Sequence, residues 1–369
     1  MATHSRFRAL SGLCALAVIS VTSPAPAGAQ TGLDSLKFNQ VRMLGSHNSY
    51  RPYPSPATEQ RIKTAFPNDW NSLAYGNPPL ESQLALGLRQ FEIDVAADPD
   101  GGLFAAPYAD APAEVRAQMA APGAKVVHIA GVDYDVHCRT FRACLSIFAR
   151  WSAAHPNHDP MVILVNSVDQ DAIPGFWPKP DVLEQADIDA LNTDIEQVIG
   201  KDHVVTPDRV RGGYATLREA VTHKAWPTVA QMRGRFLFVL DGSAAHEAYL
   251  RAGHPSLRGR MLFGWFDEDQ PEAAFFNIDS ALTDFDRIRR LVDEGFMVRT
   301  RADADTVEAR AHDGRRMKAA LASGAQIIST DYYPGVPDPE GLGYVADFGG
   351  AMFRADEVTA PVSASAADR

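Results

Sequence analysis

Positive charge, cysteine and long apolar runs are all in short supply in this chain. Lys and Arg number 35 against 46 Asp and Glu, a formal net charge of −11. A chain this acidic suits nucleic acid poorly, and charge alone does not draw it to anionic lipid. Only three cysteines are present. Cys14 lies in the N-terminal segment, which leaves Cys138 and Cys144 as an even pair. The one extended apolar stretch, from about residue 10 to about residue 21, is too short to span a bilayer. No glycine-rich phosphate loop follows the first strand, which counts against an open doubly wound sheet. No internal repeat is visible.

The short apolar stretch has the form of an export signal. Arg6 and Arg8 precede it, and Ala27-Gly28-Ala29 fits a small-residue cleavage site. Residues 1–29 are therefore expected to be a signal peptide, with Gln30 as the new N-terminus of a secreted protein, extracellular or periplasmic. Export also favours a local disulfide between Cys138 and Cys144, the alternative being two buried thiols.

Beyond residue 29, β-rich runs alternate with helical ones. Strands are expected at 41–44, 88–95, 125–129, 161–165, 235–240, 260–265, 296–301 and 326–329. Helices are expected at 80–86, 142–154, 187–199, 217–223, 280–294 and 306–323. Gly200, Gly295 and Gly324 stand where helix C-terminal glycines belong. Eight alternations predict an α/β fold, a single-domain (β/α)8 TIM-type barrel over residues 30–354. Residues 355–369 read as a small, polar, disordered tail. Long loops at 51–79, 96–124 and 168–181 fall on the C-terminal face of such a barrel. In the last of them, Phe176-Trp177 is either a transient lipid contact or an aromatic pair packed on the barrel.

Polar residues gather at that same end. His47 and Asn48 follow the first strand, and Glu92 and Asp94 end the second. His128, Asn166 and Asp241 end the third, fourth and fifth; Arg299 and Arg301 lie on the seventh; Asp331 follows the eighth. Residues two apart on a strand share a face, so Glu92 and Asp94 point the same way. Unpaired carboxylates placed together repel unless a cation joins them. Calcium takes carboxylate, amide and water oxygens, which Asn48, Glu92, Asp94 and Asn166 offer. Zinc fits less well, since the set is oxygen-rich and has no cysteine. His47 and His128 are the acid–base candidates, with His137 a rival for the second place. Arg299 and Arg301 form either a phosphate clamp or an ion-pair layer with Asp241, Asp303 or Asp331.

The chain resembles the calcium-dependent phosphatidylinositol-specific phospholipase C-like proteins of bacteria and fungi. The likeness runs through GSHNSY at 45–50, QFEIDV at 90–95, KVVHIAGVDYD at 125–135 and CRTFRACL at 138–145. It continues through RVRGGYATLREAV at 209–221, WPTVAQMRGRFLFVLDG at 226–242, VRTRADADTVEAR at 298–310 and SGAQIISTDYY at 323–333. The resemblance implies a catalytic pair at His47 and His128, and metal ligands at Asn48, Glu92 and Asp94. Where the family usually carries glutamate and, two residues on, lysine, this chain has Asn166 and Val168. The implied reaction is attack of the inositol 2-hydroxyl on its phosphodiester, giving a cyclic inositol phosphate and diacylglycerol with calcium as cofactor. The alternatives are a related phosphodiesterase for glycerophosphodiesters or a sphingomyelin-like lipid, and a secreted lipid- or sugar-binding barrel without catalysis.

Overall fold

Runs such as Val162-Ile163-Leu164-Val165 and Phe236-Leu237-Phe238-Val239 are apolar on both faces, as strands of a covered parallel sheet must be. The computed structural model describes residues 32–169, 171 and 173–360. Its strands are β1 (Val41–Ser46), β2 (Gln90–Ala96), β3 (Lys125–Val126), β4 (Met161–Ser167), β5 (Phe236–Asp241), β6 (Leu262–Gly264), β7 (Phe275–Asn277), β8 (Met297–Arg301), β9 (Ile327–Thr330) and β10 (Phe353–Ala355). The parallel order is β6-β5-β4-β2-β1-β9-β8-β7. A bridge between Trp265 and Phe275 brings β7 back beside β6. The result is a nearly closed (β/α)8 barrel with helices outside it.

Two strand expectations change. Residues 125–129 do not form a wall strand. Only Lys125–Val126 is extended, and it pairs antiparallel with the end of β2. The wall strand absent from the expected set is β7, hidden in the short run Ala273-Ala274-Phe275-Phe276-Asn277. Its three residues carry too little periodicity to stand out.

At the end of the chain the barrel runs past residue 354. Ala355 belongs to β10, which pairs antiparallel with the first half of β1. Asp356 is fully buried and accepts from Arg42 Nη2 at 2.8 Å. Residues 355–360 are therefore packed and not a free tail, because an internal guanidinium requires their carboxylate. Residues 361–369 and the expected signal peptide lie outside the described residues.

The expected long loops also carry structure. Residues 51–79 contain helices Pro56–Ala65 and Trp70–Leu73, and the connection after β2 contains Ala113–Ala120. Gly45 marks where β1 meets β2. A Cβ there would fall 1.9 Å from Gln90 Oε1, so only glycine lets the strands approach. Cys138 and Cys144 are joined in a disulfide at the start of helix Phe141–Ala154.

Removing one partner of a buried ion pair costs roughly 3–5 kcal/mol, because the other charge is stranded. Asp356→Ala should lower stability by about that much, and replacing Arg42 and Asp356 together by Met and Leu should cost less. Urea unfolding of Asp356→Ala at the parent's midpoint would show that the last segment does not hold Arg42.

Candidate active site

Strand register sets the polar residues at one level. Asp94, Asn166 and Asp241 are successive Cα partners across β2, β4 and β5. Asn277 faces Arg299 across β7 and β8. All stand toward the C-terminal ends of parallel strands, where a barrel of this kind forms its site. Above them opens a cavity of about 340 Å³ lined by His47, Asn48, Tyr75, Glu92, Asp94, His128, Asn166 and Arg301, among others.

Each histidine has a carboxylate on Nδ1. His47 Nδ1 is 3.0 Å from Asp331 Oδ1. His128 Nδ1 is 2.8 Å from Asp133 Oδ2. Such contacts fix ring orientation, and Arg301 Nη2 lies 3.3 Å from the same His47 Nδ1. The two pairs differ electrostatically. Burial lowers both histidines below the usual imidazole value. For His47 the Arg301 guanidinium adds to that effect, and the shift is large. For His128 the hydrogen bond it donates to Asp133 works the other way. Burial alone would raise Asp133, but Arg51 and His128 outweigh it and hold the carboxyl at about 2. Asp331 is raised by burial against the pull of Arg301.

Sequence reasoning missed Asp133, Arg51 and Tyr75. Arg51 is fully buried and donates from Nε to Asp133 Oδ2 at 2.6 Å. It also donates to the Tyr75 carbonyl oxygen and lies over the Tyr75 ring. Tyr75 stacks on His47 at 5.5 Å between centroids and meets His128 edge-on at 6.5 Å. Asp133 had a local signal. Ile129-Ala130-Gly131-Val132 curls tightly, with Asp133 N–H donating to Ile129 O at 2.8 Å. Gly131 has φ 76°, and a Cβ there would press on the backbone of Trp177. That turn returns Asp133 beneath His128. Tyr75 and Arg51 had no such signal, since only folding of the 51–79 connection brings them in.

The expected ligand set is together. Asn48 has φ 45°, a left-handed conformation that asparagine tolerates. Its Nδ2 donates to Tyr75 Oη at 2.7 Å, while its Oδ1 is buried with no hydrogen-bond partner. Asp94 accepts from Tyr50 Oη at 2.8 Å and from Asn166 Nδ2 at 3.3 Å. A half-turn of the Asn166 amide presents its oxygen instead. Burial, with the neighbouring Glu92 charge, raises Asp94 well above an ordinary carboxyl. No three His, Cys, Asp or Glu side chains cluster as a metal group among the described residues. Two carboxylates, an orphaned amide oxygen and a second amide nonetheless fit a hard cation that accepts neutral oxygens.

The arginine pair divides. Arg299 Nη2 donates to Glu92 Oε2 at 2.8 Å and Nη1 to Asp279 Oδ1 at 2.6 Å. It does not line the cavity, so it belongs to an ion-pair layer and not to a phosphate clamp. Arg301 does line the cavity and donates to Asp331 Oδ2 at 3.1 Å. Asp241 accepts from Asn277 Nδ2 and lies outside the cavity lining. His137 is also outside it, with Nε2 at 2.8 Å from the Asn77 carbonyl oxygen. Val168 packs in an apolar cluster with Phe104, Met119 and Val127.

A parallel barrel with imidazole–carboxylate pairs and an oxygen-rich pocket at its mouth is the frame of a barrel phosphodiesterase. The family model described as phosphoinositide phospholipase C, Ca2+-dependent, matches residues 36–356, and the chain belongs to that family. It is thus grouped with calcium-dependent phosphodiester hydrolases and not with non-catalytic binding barrels. The fold is similar to a Ca2+-dependent phosphatidylinositol-specific phospholipase C from Streptomyces antibioticus, with TM-score 0.53 and 19% identity over 81% of this chain and 96% of that one. It is also similar to a calcium-dependent phosphoinositol-specific phospholipase C from Pseudomonas sp., with TM-score 0.55 and 14% identity over 89% and 98%. A myoinositol complex of the Pseudomonas protein matches at TM-score 0.54 and 14% identity, over 88% and 97%. No curated protein matches the sequence.

Asp133 gives a pH test. Its folded value, about 2, lies below the ordinary 3.8. The unfolded chain therefore binds more protons between those values, and this stabilisation is present above pH 4 and lost as pH falls toward 2. The part so lost is about 2 kcal/mol. Asp133→Asn should be less stable than the parent at pH 7, with the gap closing by about that amount at pH 2.5. Urea titrations that find a constant gap would remove Asp133 from this role.

Proposed function

We propose that this protein cleaves phosphatidylinositol-type lipids to diacylglycerol and a cyclic inositol phosphate, using calcium and the His47–His128 pair. The observation that carries this reading is the pair of imidazoles on one cavity, each oriented by its own aspartate, beside an oxygen-rich cation set. Asn48, Glu92, Asp94 and Asn166 would hold calcium. When bound, that ion lowers the pKa of a nearby hydroxyl and offsets charge developing on the phosphoryl oxygens.

The chain's own groups supply the proton transfers. His47 is held neutral by burial and by Arg301, the state required of a base. It takes the proton of the inositol 2-hydroxyl as that oxygen bonds to phosphorus. The phosphorus–oxygen bond to glycerol breaks, and His128 gives its proton to the departing oxygen. Asp133, anionic at any working pH, favours the imidazolium that His128 needs. Arg301, which lines the cavity, would meet a phosphoryl oxygen.

Secretion and a transient membrane contact belong to the same reading. The N-terminal segment supports export. Trp177 is 67% exposed, and Leu282 and Val307 are also exposed, all on connections that leave C-terminal strand ends. The exposure of Trp177 favours the lipid-contact alternative over packing on the barrel.

The test is a phosphodiester screen of phosphatidylinositol, its glycerophosphodiester and sphingomyelin, with and without calcium. His47→Ala and His128→Ala should each lower turnover on phosphatidylinositol by roughly a hundredfold or more. A phenol leaving group needs less protonation, so it should rescue His128→Ala and not His47→Ala. Rescue of His47→Ala alone would reverse the two roles. Full activity of His128→Ala on both substrates would exclude it from catalysis.

Calcium binding is tested separately by calorimetry. Glu92→Gln and Asp94→Asn should each weaken calcium affinity at least about tenfold, since ligand charge sets affinity. Unchanged affinity in both variants would place the ion elsewhere.

A further inference from the structure

One stretch of cavity wall has no part in the reaction just described. Ser167 and Asp169 line the cavity immediately beyond Asn166, where the chain leaves β4. Behind them is His246, 1% exposed, in the first turn of helix Ala244–Arg251. Its Nδ1 accepts the Ser243 backbone N–H at 3.0 Å, and Ser167 Oγ lies 3.2 Å from the same nitrogen. With Nδ1 accepting, Nε2 is the ring's donor nitrogen. That Nε2 is buried, has no hydrogen-bond partner among the described residues, and faces Asp169 Oδ2 at 3.4 Å. A buried donor left unpaired is costly, so a small movement of Asp169 toward His246 is favourable. Such a pairing would orient a carboxylate whose side chain is 29% exposed and lines the cavity.

Charge along the wall gives this carboxylate a meaning. The lining carries Glu92, Asp94, Asp169 and Asp305, against one guanidinium, Arg301, which is already paired with Asp331. Calcium answers Glu92 and Asp94 in the reading above, but not Asp169 or Asp305. At the neighbouring position 168 stands a valine packed into an apolar cluster. A ring hydroxyl donates well to a fixed carboxylate. A ring phosphate, carrying about −1.5 to −2 charges, is repelled by it.

We infer that Asp169, oriented by His246, is a specificity-determining residue that accepts hydrogen bonds from the headgroup ring and excludes a second phosphate there. The substrate class is then an inositol lipid with an unphosphorylated ring. Asp169 would touch the substrate, while His246 is a positioning residue that acts through Asp169. The inference rests on the phosphodiesterase reading.

The experiment compares phosphatidylinositol with phosphatidylinositol 4-phosphate in neutral-detergent micelles with calcium, using the full-length protein. The parent should prefer the unphosphorylated lipid. Asp169→Asn should lower kcat/KM on phosphatidylinositol about tenfold, the scale of one hydrogen bond to a charge, and bring the ratio of the two substrates toward one. His246→Phe should also flatten the ratio, and His246→Gln, which keeps a donor, should restore it. A purely structural role for His246 would lower both rates together and leave the ratio alone. Saturation-transfer NMR with myo-inositol gives a readout independent of turnover. If the parent is inert on both lipids yet Asp169→Asn loses myo-inositol binding, the catalytic reading fails and the subsite stands. An active parent whose ratio and myo-inositol binding are both unchanged in Asp169→Asn overturns the inference.

Discussion

Glu92 and Asp94 are buried two residues apart on one face of β2, and most of the barrel mouth is arranged around the repulsion between them. Arg299 answers Glu92 through one oxygen, leaving Oε1 3.9 Å from His47 Nε2. Tyr50 and Asn166 answer Asp94 with neutral donors, which compensate a charge less than a cation does. Asp94 therefore stays well above its ordinary value, while Asn48 leaves a buried oxygen without a partner beside it. The protein groups alone leave this corner short of positive charge. A divalent ion bound there, as proposed above, would supply what is missing, in keeping with the family's calcium dependence.

The two imidazoles at this mouth are not equivalent. His47 follows β1 and lies near two guanidiniums, Arg299 and Arg301, whose charges disfavour its protonation. His128 comes from an insertion and not from a wall strand. Its partner Asp133 is kept ionised by Arg51, which is itself locked to backbone oxygens of the 51–79 connection. Tyr75, from that connection, contacts both rings. One imidazole is thus set by the barrel and the other by loops laid over it. Divergent environments of this kind would let a site assign acid and base to two residues of one type, as proposed for this pair.

How much of this was legible in the sequence depends on the range of the interaction. The barrel was legible because parallel wall strands bury both faces and so read as unbroken apolar runs. The short β7 run carries too little pattern to stand out, and 125–129 reads as a wall strand, because β-rich composition does not report which edge a segment pairs with. That Glu92, Asp94, His47 and Asn48 meet at one cavity was legible because each lies at one strand or one strand end. The division of labour between Arg299 and Arg301 was not. Both share one face of β8, and only the depth of each in the barrel sends the first to Glu92 and Asp279 and the second to the cavity. Asp356 was misread for a related reason, since a small, polar C-terminal stretch resembles a tail until its carboxylate meets Arg42.

Position 166, where the resemblance implies a glutamate, shows how an amide fits this wall. An amide there contributes no charge, so the repulsion at Asp94 comes chiefly from Glu92 on the same strand. A carboxylate at 166 would add a third negative charge at the level where Asp94 and Asp241 already flank that position in register. Two residues on, Val168 turns into an apolar cluster that packs under the loop carrying Ala130 and Val127. A lysine there would need either an acidic partner or a path to solvent. Asn166 and Val168, where the resemblance implies a carboxylate and a lysine, are thus complementary in charge. Together they leave the net charge of this wall nearly unaltered while removing its cation, and the polar character of the wall passes to Ser167 and Asp169 beside them.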